Sequence, residues 1–174
     1  MRKLYFVIAF LVCSIAGAAQ NSKTVFLVRH AEKVSTAKDA LLSDLGHQRS
    51  ECLAGVLADA GIQNILATNV VRTQQTAQPL ADRLHEKVAV LPASDIGGFA
   101  TEIRNSQGNS LVVVHSDTLP SIIQQLTGKT VTVGANDYDV LYIVSFDPNP
   151  TAPVLLHYCT QLNSAATQPG KMLR

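Results

Sequence analysis

Two apolar runs in this chain stop in the same way. Thr24-Val25-Phe26-Leu27-Val28 ends on Arg29-His30, and Leu111-Val112-Val113-Val114 ends on His115. An uninterrupted run of β-branched and large apolar residues bounded by polar ones reads as a strand buried on both faces, which is the signature of a mainly parallel sheet covered by helices. A chain with two such strands must supply the helices that cover them.

The segments between and around the runs supply them. After a polar connector, 34–40, Ser43 is placed to cap a helix that runs to about Ala60, with Leu45, Cys52, Leu53, Val56, Leu57 and Ala60 at spacings of three and four and Gly61 at its end; Gly46 weakens its first turn. Asn64 to Thr68 reads as a second strand and Val71 to His85 as a second helix, which Pro79 is expected to kink or break. Lys87 to Leu91 reads as a third strand, Pro92 to Ala100 as a loop and Thr101 to Asn105 as a short helical turn. Beyond His115, Thr118 is expected to cap a helix with Pro120 in its first turn that reaches Gly128; Val140 to Phe146 and Val154 to Cys159 read as strands joined by the turn Asp147-Pro148-Asn149-Pro150. The last pair suits an antiparallel hairpin at or near an edge. The alternation of strands and helices predicts an α/β fold, a three-layer α/β/α sandwich around a mainly parallel sheet.

The first residues stand apart. Arg2 and Lys3, the apolar block Leu4 to Val12 and the small residues Ala16-Gly17-Ala18-Ala19 have the layout of a secretory signal peptide over 1–19, with the domain proper over 20–163 and a polar tail over 164–174. The apolar block is short of the roughly 20 residues of a spanning helix, so a retained anchor is the lesser reading, and a lipid-modified Cys13 is disfavoured by Val12 before it. No later segment is long and apolar enough to span a membrane. An exported protein, periplasmic or extracellular, is the expectation.

Without 1–19 the 14 basic residues become 12 against 13 acidic ones, a balance that disfavours nucleic acid as a bulk partner. Four Tyr, five Phe and no Trp offer no base-stacking platform. Cys52 and Cys159 remain in what is expected to be an oxidising compartment, where one disulfide and two separate buried thiols are about equally open, a choice that sequence cannot make. No cysteine and histidine cluster has metal-ligand spacing, so neither a metal nor another cofactor is expected.

In open α/β sheets, ligands collect beyond the carboxyl ends of the strands. Arg29 and His30 stand at one such end, His115 at another, and Arg72 just after the second strand near a helix start. Two guanidiniums, two imidazoles and a helix N-terminus suit a compact anion, phosphate above all. Positive charge beside His30 disfavours imidazolium and keeps a ring nitrogen free to attack phosphorus, while Arg29, Arg72 and His115 neutralise the equatorial oxygens. His47, His85 and His157 have no such surroundings and read as structural or exposed.

Three segments carry a resemblance. Arg29-His30-Ala31-Glu32-Lys33 resembles the Arg-His-Gly motif at the end of the first strand of the histidine phosphatase superfamily, the phosphoglycerate mutase-like proteins, with alanine in the glycine's place. Arg72-Thr73-Gln74-Gln75-Thr76-Ala77 is similar to the second motif, and Val114-His115-Ser116-Asp117-Thr118 to the third, Gly-His-Ser-Asn-Thr; Leu42-Ser43-Asp44-Leu45-Gly46 is similar to the segment that opens the first helix. The resemblance implies a phosphoglycerate mutase-like fold and a metal-independent phosphohydrolase. His30 would form a phosphohistidine, with Arg29, Arg72 and His115 as the phosphate pocket, acting on a small phosphorylated molecule or a phosphoprotein.

The proton donor follows neither family pattern, since Ser116 follows His115 and the stretch from Pro92 to Arg104 is short. Asp117, Glu32, Asp95 and Glu102 are the acids at hand, and Asp117 and Glu32 are the two candidates nearest the motifs. Asp117 has helix capping as its competing role. General acid help is worth about 10²- to 10⁴-fold, so a missing donor implies slow turnover or a good leaving group. The different-class alternative is a catalytically weak or inactive phosphate-binding or regulatory module.

Overall fold

A computed structural model describes residues 22–147 and 149–166. The 1–19 segment and the end of the C-terminal tail lie outside the described residues. Eleven elements follow in the order β1 (Lys23–Arg29), α1 (Asp44–Leu57), β2 (Ile62–Thr68), α2 (Val71–Leu84), β3 (Val88–Leu91), α3 (Ile96–Asn105), β4 (Asn109–Val114), α4 (Thr118–Thr127), β5 (Val140–Phe146), β6 (Val154–His157) and α5 (Gln161–Ala166).

The six strands form one sheet in the order β3-β2-β4-β1-β5-β6. β1 to β4 are mutually parallel, and β5 and β6 join as an antiparallel hairpin on the side of β1, as the sequence predicts. The central strands read as continuous apolar runs because both faces are covered. Val25 and Leu27 of β1 with Val112 and Val114 of β4 pack against Phe99, Ile103, Ile122 and Ile123 of α3 and α4. Val28 with Leu111 and Val113 packs against Leu53, Leu57, Ala77 and Leu80 of α1 and α2 on the opposite face. Alternation within each strand thus feeds two cores, and the three-layer expectation holds.

Several boundaries differ from expectation for identifiable reasons. α3 starts at Ile96 rather than Thr101: Asp95 caps it by accepting from Gly98 N at 2.8 Å, and Phe99 and Ile103, four apart, are fully buried. Gly97 and Gly98 disguise that first turn as loop. Pro79 lies inside α2, which runs unbroken to Leu84 and stops at His85, whose φ is 57°. Thr118 is the first helical residue of α4, and its hydroxyl accepts from the backbone N–H of His115 at 3.0 Å instead of capping the helix. Ser43 does cap α1, accepting from Gly46 N at 3.1 Å. Gly46 is not a mere weakness there, because a Cβ would run into the carbonyl oxygen of Glu32. At the far end, Ser164 to Ala166 continue α5.

Cys52 of α1 and Cys159, just after β6, form a disulfide that spans 107 residues of sequence. It ties the C-terminal segment to the α1 side of the sheet. Tyr158 beside it is buried and joins the same core. Among the described residues no helix is long and apolar enough to cross a membrane.

Candidate active site

The site follows from strand register. Arg29 is the last residue of β1 and pairs with Val114, the last of β4. The ladder continues one step, His30 N donating to Val114 O at 2.9 Å, so the residues that follow the two strands, His30 and His115, emerge side by side. Their rings lie 5.3 Å apart between centroids, edge to face at 66°. Both are buried, at 3% and 8% exposure, and both border an open cleft of about 370 Å³ with Arg29, Arg72 and Asp117. The cleft also meets Val70 and Ser116, the residues leading into α2 and α4, so two helix N-termini border it. All four residues expected to surround a phosphate are brought to this one opening.

Each imidazole is held in a definite orientation. His30 Nδ1 lies 2.8 Å from the carbonyl oxygen of Ala31. A carbonyl only accepts, so Nδ1 carries the proton and Nε2 keeps its lone pair. Burial, with Arg72, His115 and Arg29 adding positive charge nearby, lowers the His30 pKa to about 3 against the opposing pull of the Ala31 bond, and the ring is neutral at neutral pH. Burial and then Arg72 lower His115 to about 4.

The arginines are positioned by different parts of the chain. Arg29 donates through Nη1 to Gly134 O at 3.1 Å and Ala135 O at 2.7 Å, and its guanidinium stacks 4.2 Å from the Tyr138 ring centre with Nη2 3.3 Å from the phenol oxygen. Arg72 donates to Lys38 O at 2.7 Å, pinning the loop between β1 and α1, and points Nη2 at His115 Nδ1 at 3.3 Å. The Nε–H groups of both arginines are buried and have no protein partner. An unmatched buried donor is costly, so the two guanidiniums that border the cleft are held there with part of their hydrogen-bonding capacity unspent.

The motif residues that do not touch the cleft hold its walls. Thr76 accepts from Ala31 N at 3.0 Å and donates to Arg72 O at 2.8 Å, joining the first motif to the second. Gln75 accepts from Leu42 N at 3.1 Å, and Ala77 is fully buried. Ala31, which stands in the glycine's place, does not have a positive φ and is fully buried, so alanine fits without backbone strain.

The acids separate by position. Glu32 forms a bidentate ion pair with Arg49, a residue 1% exposed, at 2.6 to 2.9 Å, and Arg49 also donates to Asn163 Oδ1 at 2.9 Å. Glu32 is not among the residues that border the cleft; its carboxylate is engaged behind the first motif. Asp95 caps α3, and Glu102 lies by the first residues of β2, away from the cleft. Asp117 borders the cleft, is exposed, and makes no capping hydrogen bond with its side chain. Asp39, on the loop that Arg72 pins, is the second acid on the cleft wall and was not singled out by sequence. Lys38 on the same loop and Tyr138 under Arg29 were likewise not legible, since neither belongs to a motif or to a periodic segment, and Lys33, inside the first motif, and Thr68, at the end of the second strand, carried no sign of a place at the site. His157, expected to be structural or exposed, pairs with Asp139 at 2.9 Å on the surface. Among the described residues no group of three or more His, Cys, Asp or Glu could hold a metal ion.

Comparison with known proteins agrees with this geometry. A model of the histidine phosphatase superfamily (branch 1) matches residues 25–94. The curated "Probable phosphoglycerate mutase GpmB" of Yersinia enterocolitica is 36% identical over 75 residues, a match covering 39% of this chain and about 35% of that protein's length. Among solved structures, the protein histidine phosphatase SixA complexed with tungstate superposes with a TM-score of 0.65 at 22% identity, covering 79% of this chain and 99% of that one. The alpha-ribazole phosphatase from Shigella flexneri does so with 0.63 at 15%, covering 76% and 95%. At these identities the structures speak for the fold alone, while the family match falls on the segment that holds Arg29, His30 and Arg72. The segment 25–94, which carries the first two motifs, thus matches the histidine phosphatase superfamily (branch 1), and the fold of the chain is that of the solved histidine phosphatase structures.

Proposed function

We propose that this protein is a metal-independent phosphohydrolase that works through a phosphohistidine on His30, in an exported, oxidising setting. The observation that carries the reading is the bond from His30 Nδ1 to the Ala31 carbonyl, which leaves the Nε2 lone pair on a neutral ring beside two arginines. Nε2 attacks phosphorus as the bond to the leaving oxygen or nitrogen breaks, and Arg29 and Arg72 neutralise charge on the three non-bridging oxygens through the transition state. Water then attacks the phosphorus of the phosphohistidine, releasing inorganic phosphate and restoring the His30 lone pair.

The cleft is open, and its acids, Asp117 and Asp39, stand on an exposed wall, where neither is held against a leaving group. That favours substrates whose leaving group departs without much help, such as phosphohistidine in a protein or an aryl phosphate, over alkyl phosphates. Likeness to a protein histidine phosphatase supports the same substrate class. The Cys52–Cys159 disulfide supports the oxidising setting.

Turnover of p-nitrophenyl phosphate and of a phosphohistidine peptide, together with trapping of an acid-labile, base-stable phosphoenzyme, tests the proposal. Wild-type protein should turn over both and His30→Ala neither, with the trapped phosphate on His30. Equal activity in the two proteins, or phosphate trapped elsewhere, would overturn the assignment; binding of phosphate with no turnover would leave a regulatory module in its place.

A further inference from the structure

Behind His115 lies a hydrogen-bond chain that the phosphate-pocket motifs do not include. His115 Nε2 is 3.0 Å from Thr68 Oγ1, which is 2.9 Å from Thr73 Oγ1, and Thr73 Oγ1 in turn is 2.7 Å from Val70 O and 3.0 Å from Thr68 O. Thr68 and Thr73 are both fully buried. The direction of this chain is decided at its ends. Backbone carbonyls only accept, so the Thr73 hydroxyl donates to one of them, and its oxygen is left to accept from Thr68. Thr68 then accepts at its own oxygen, from His115 Nε2–H and, at 3.3 Å, from Val70 N–H. At the other end Arg72 Nη2, a group that only donates, faces His115 Nδ1. The opposite direction would set N–H against N–H there and turn the Thr73 hydroxyl proton away from both carbonyls.

We propose that Thr68 and Thr73 are positioning residues for His115: two oriented hydroxyls keep its proton on Nε2, so that Nδ1 meets the phosphoryl oxygen and can donate to it only once His115 has taken up a proton. The inference rests on the phosphoryl-transfer reading of the cleft. In the structure Nδ1 accepts from Arg72. When an anion draws that guanidinium to itself, a bare Nδ1 lone pair would face an oxygen lone pair, and protonation at Nδ1 turns that repulsion into a charge-assisted bond. The proton comes from solvent or from a phosphate monoanion, and no covalent bond changes. The charged and titratable groups around His115 are Arg72 on α2, Arg29 at the end of β1, Lys33 on the loop after it, His30 opposite and Asp117 on its own segment. The cations oppose the extra proton, and a bound dianion offsets them.

Imidazole nitrogen NMR on the full chain reads the tautomer directly, and calorimetry of inorganic phosphate binding in two buffers of different ionisation enthalpy reads the proton. Above the second ionisation of phosphate, wild type should show His115 protonated at Nε2 when free and should take up about one proton per phosphate bound, the value for a single coupled site. His115→Asn should take up none. Thr68→Ser should keep the tautomer. Thr68→Val and Thr73→Val should shift it toward a mixture and lower kcat on an aryl phosphate by about 10- to 100-fold, the usual cost of losing a group that orients a histidine. Wild-type His115 protonated at Nδ1, phosphate binding without proton uptake, or an unchanged tautomer in Thr68→Val would each overturn the proposal. Should Thr68→Val not fold, Thr73→Val and the wild-type tautomer decide alone. Absence of turnover in wild type would instead count against the phosphohydrolase reading, because the tautomer and proton counts need no turnover.

Discussion

Replacing Glu32 with alanine separates a structural from a proton-donating role for the acid that follows the first motif. Arg49 is 1% exposed and contributes three of its contacts to the Glu32 carboxylate, at 2.8, 2.9 and 2.6 Å. With the carboxylate removed, the guanidinium stays buried with Asn163 Oδ1 as its remaining side-chain acceptor, and its Nη1 already lacks one. Breaking a buried pair from one side costs about 3–5 kcal/mol; the Glu32 side chain is 14% exposed, which admits some water and argues for the lower end, about 3 kcal/mol. In a chain of this size 1 kcal/mol corresponds to about 2–4 °C, so the melting temperature should fall by about 6–12 °C. Circular dichroism melts give that figure, and kcat/KM across aryl phosphates of graded leaving-group pKa gives the chemical one, whose slope should not change. The paired variant Glu32→Leu with Arg49→Met should recover most of the lost stability, since it removes both charges. A melting temperature within about 2 °C of wild type, or a steeper dependence on leaving-group pKa in Glu32→Ala, would refute the reasoning and return Glu32 to the role of donor.

Three further outcomes can be measured in the same way. Reducing the Cys52–Cys159 disulfide, or replacing both cysteines with serine, should cost about 2–5 kcal/mol in urea unfolding, because the bond closes a 107-residue separation in the unfolded chain. Thr76→Val should cost about 1–3 kcal/mol by leaving the fully buried Ala31 N–H unpaired, read from the same unfolding curves. His30 and His115 have folded pKa values lowered to about 3 and about 4, below the ordinary 6.5. The unfolded chain therefore binds more protons, and stability present above pH 6.5 should be lost as pH falls through the range between those values; His115→Asn should flatten part of that slope.

The parts of the fold written in side-chain periodicity were readable from sequence. β1 and β4 announced themselves as apolar runs, and their endings placed Arg29, His30 and His115 at one edge before any coordinates. Arg72 was readable because it opens a helix just after a strand. What was hidden depended on contacts between distant segments. α3 begins with Ile96-Gly97-Gly98, poor helix formers by propensity, and only the Asp95 cap and the burial of Phe99 overrule them. Thr68 looks like any strand-end threonine until His115 arrives from β4, 47 residues away. Tyr138 sits in an irregular stretch with no period to read, yet it is the platform for Arg29. Glu32 appeared free because its partner, Arg49, lies on a helix face whose neighbours the sequence does not specify.

The pairing of β1 with β4 has a consequence for how such a site diverges. Neighbouring strands run about 4.8 Å apart, and the two imidazoles, each one residue past its strand, stand 5.3 Å apart. Their separation is therefore a property of the backbone lattice, copied from hydrogen bonds that any apolar sequence can make. A slip of one residue between these strands would turn core side chains outward, so packing polices the spacing of the histidines independently of their own ring contact. The fold is kept in solved structures 22% and 15% identical to this chain, and the sheet acts as a ruler that selection on stability alone keeps in calibration.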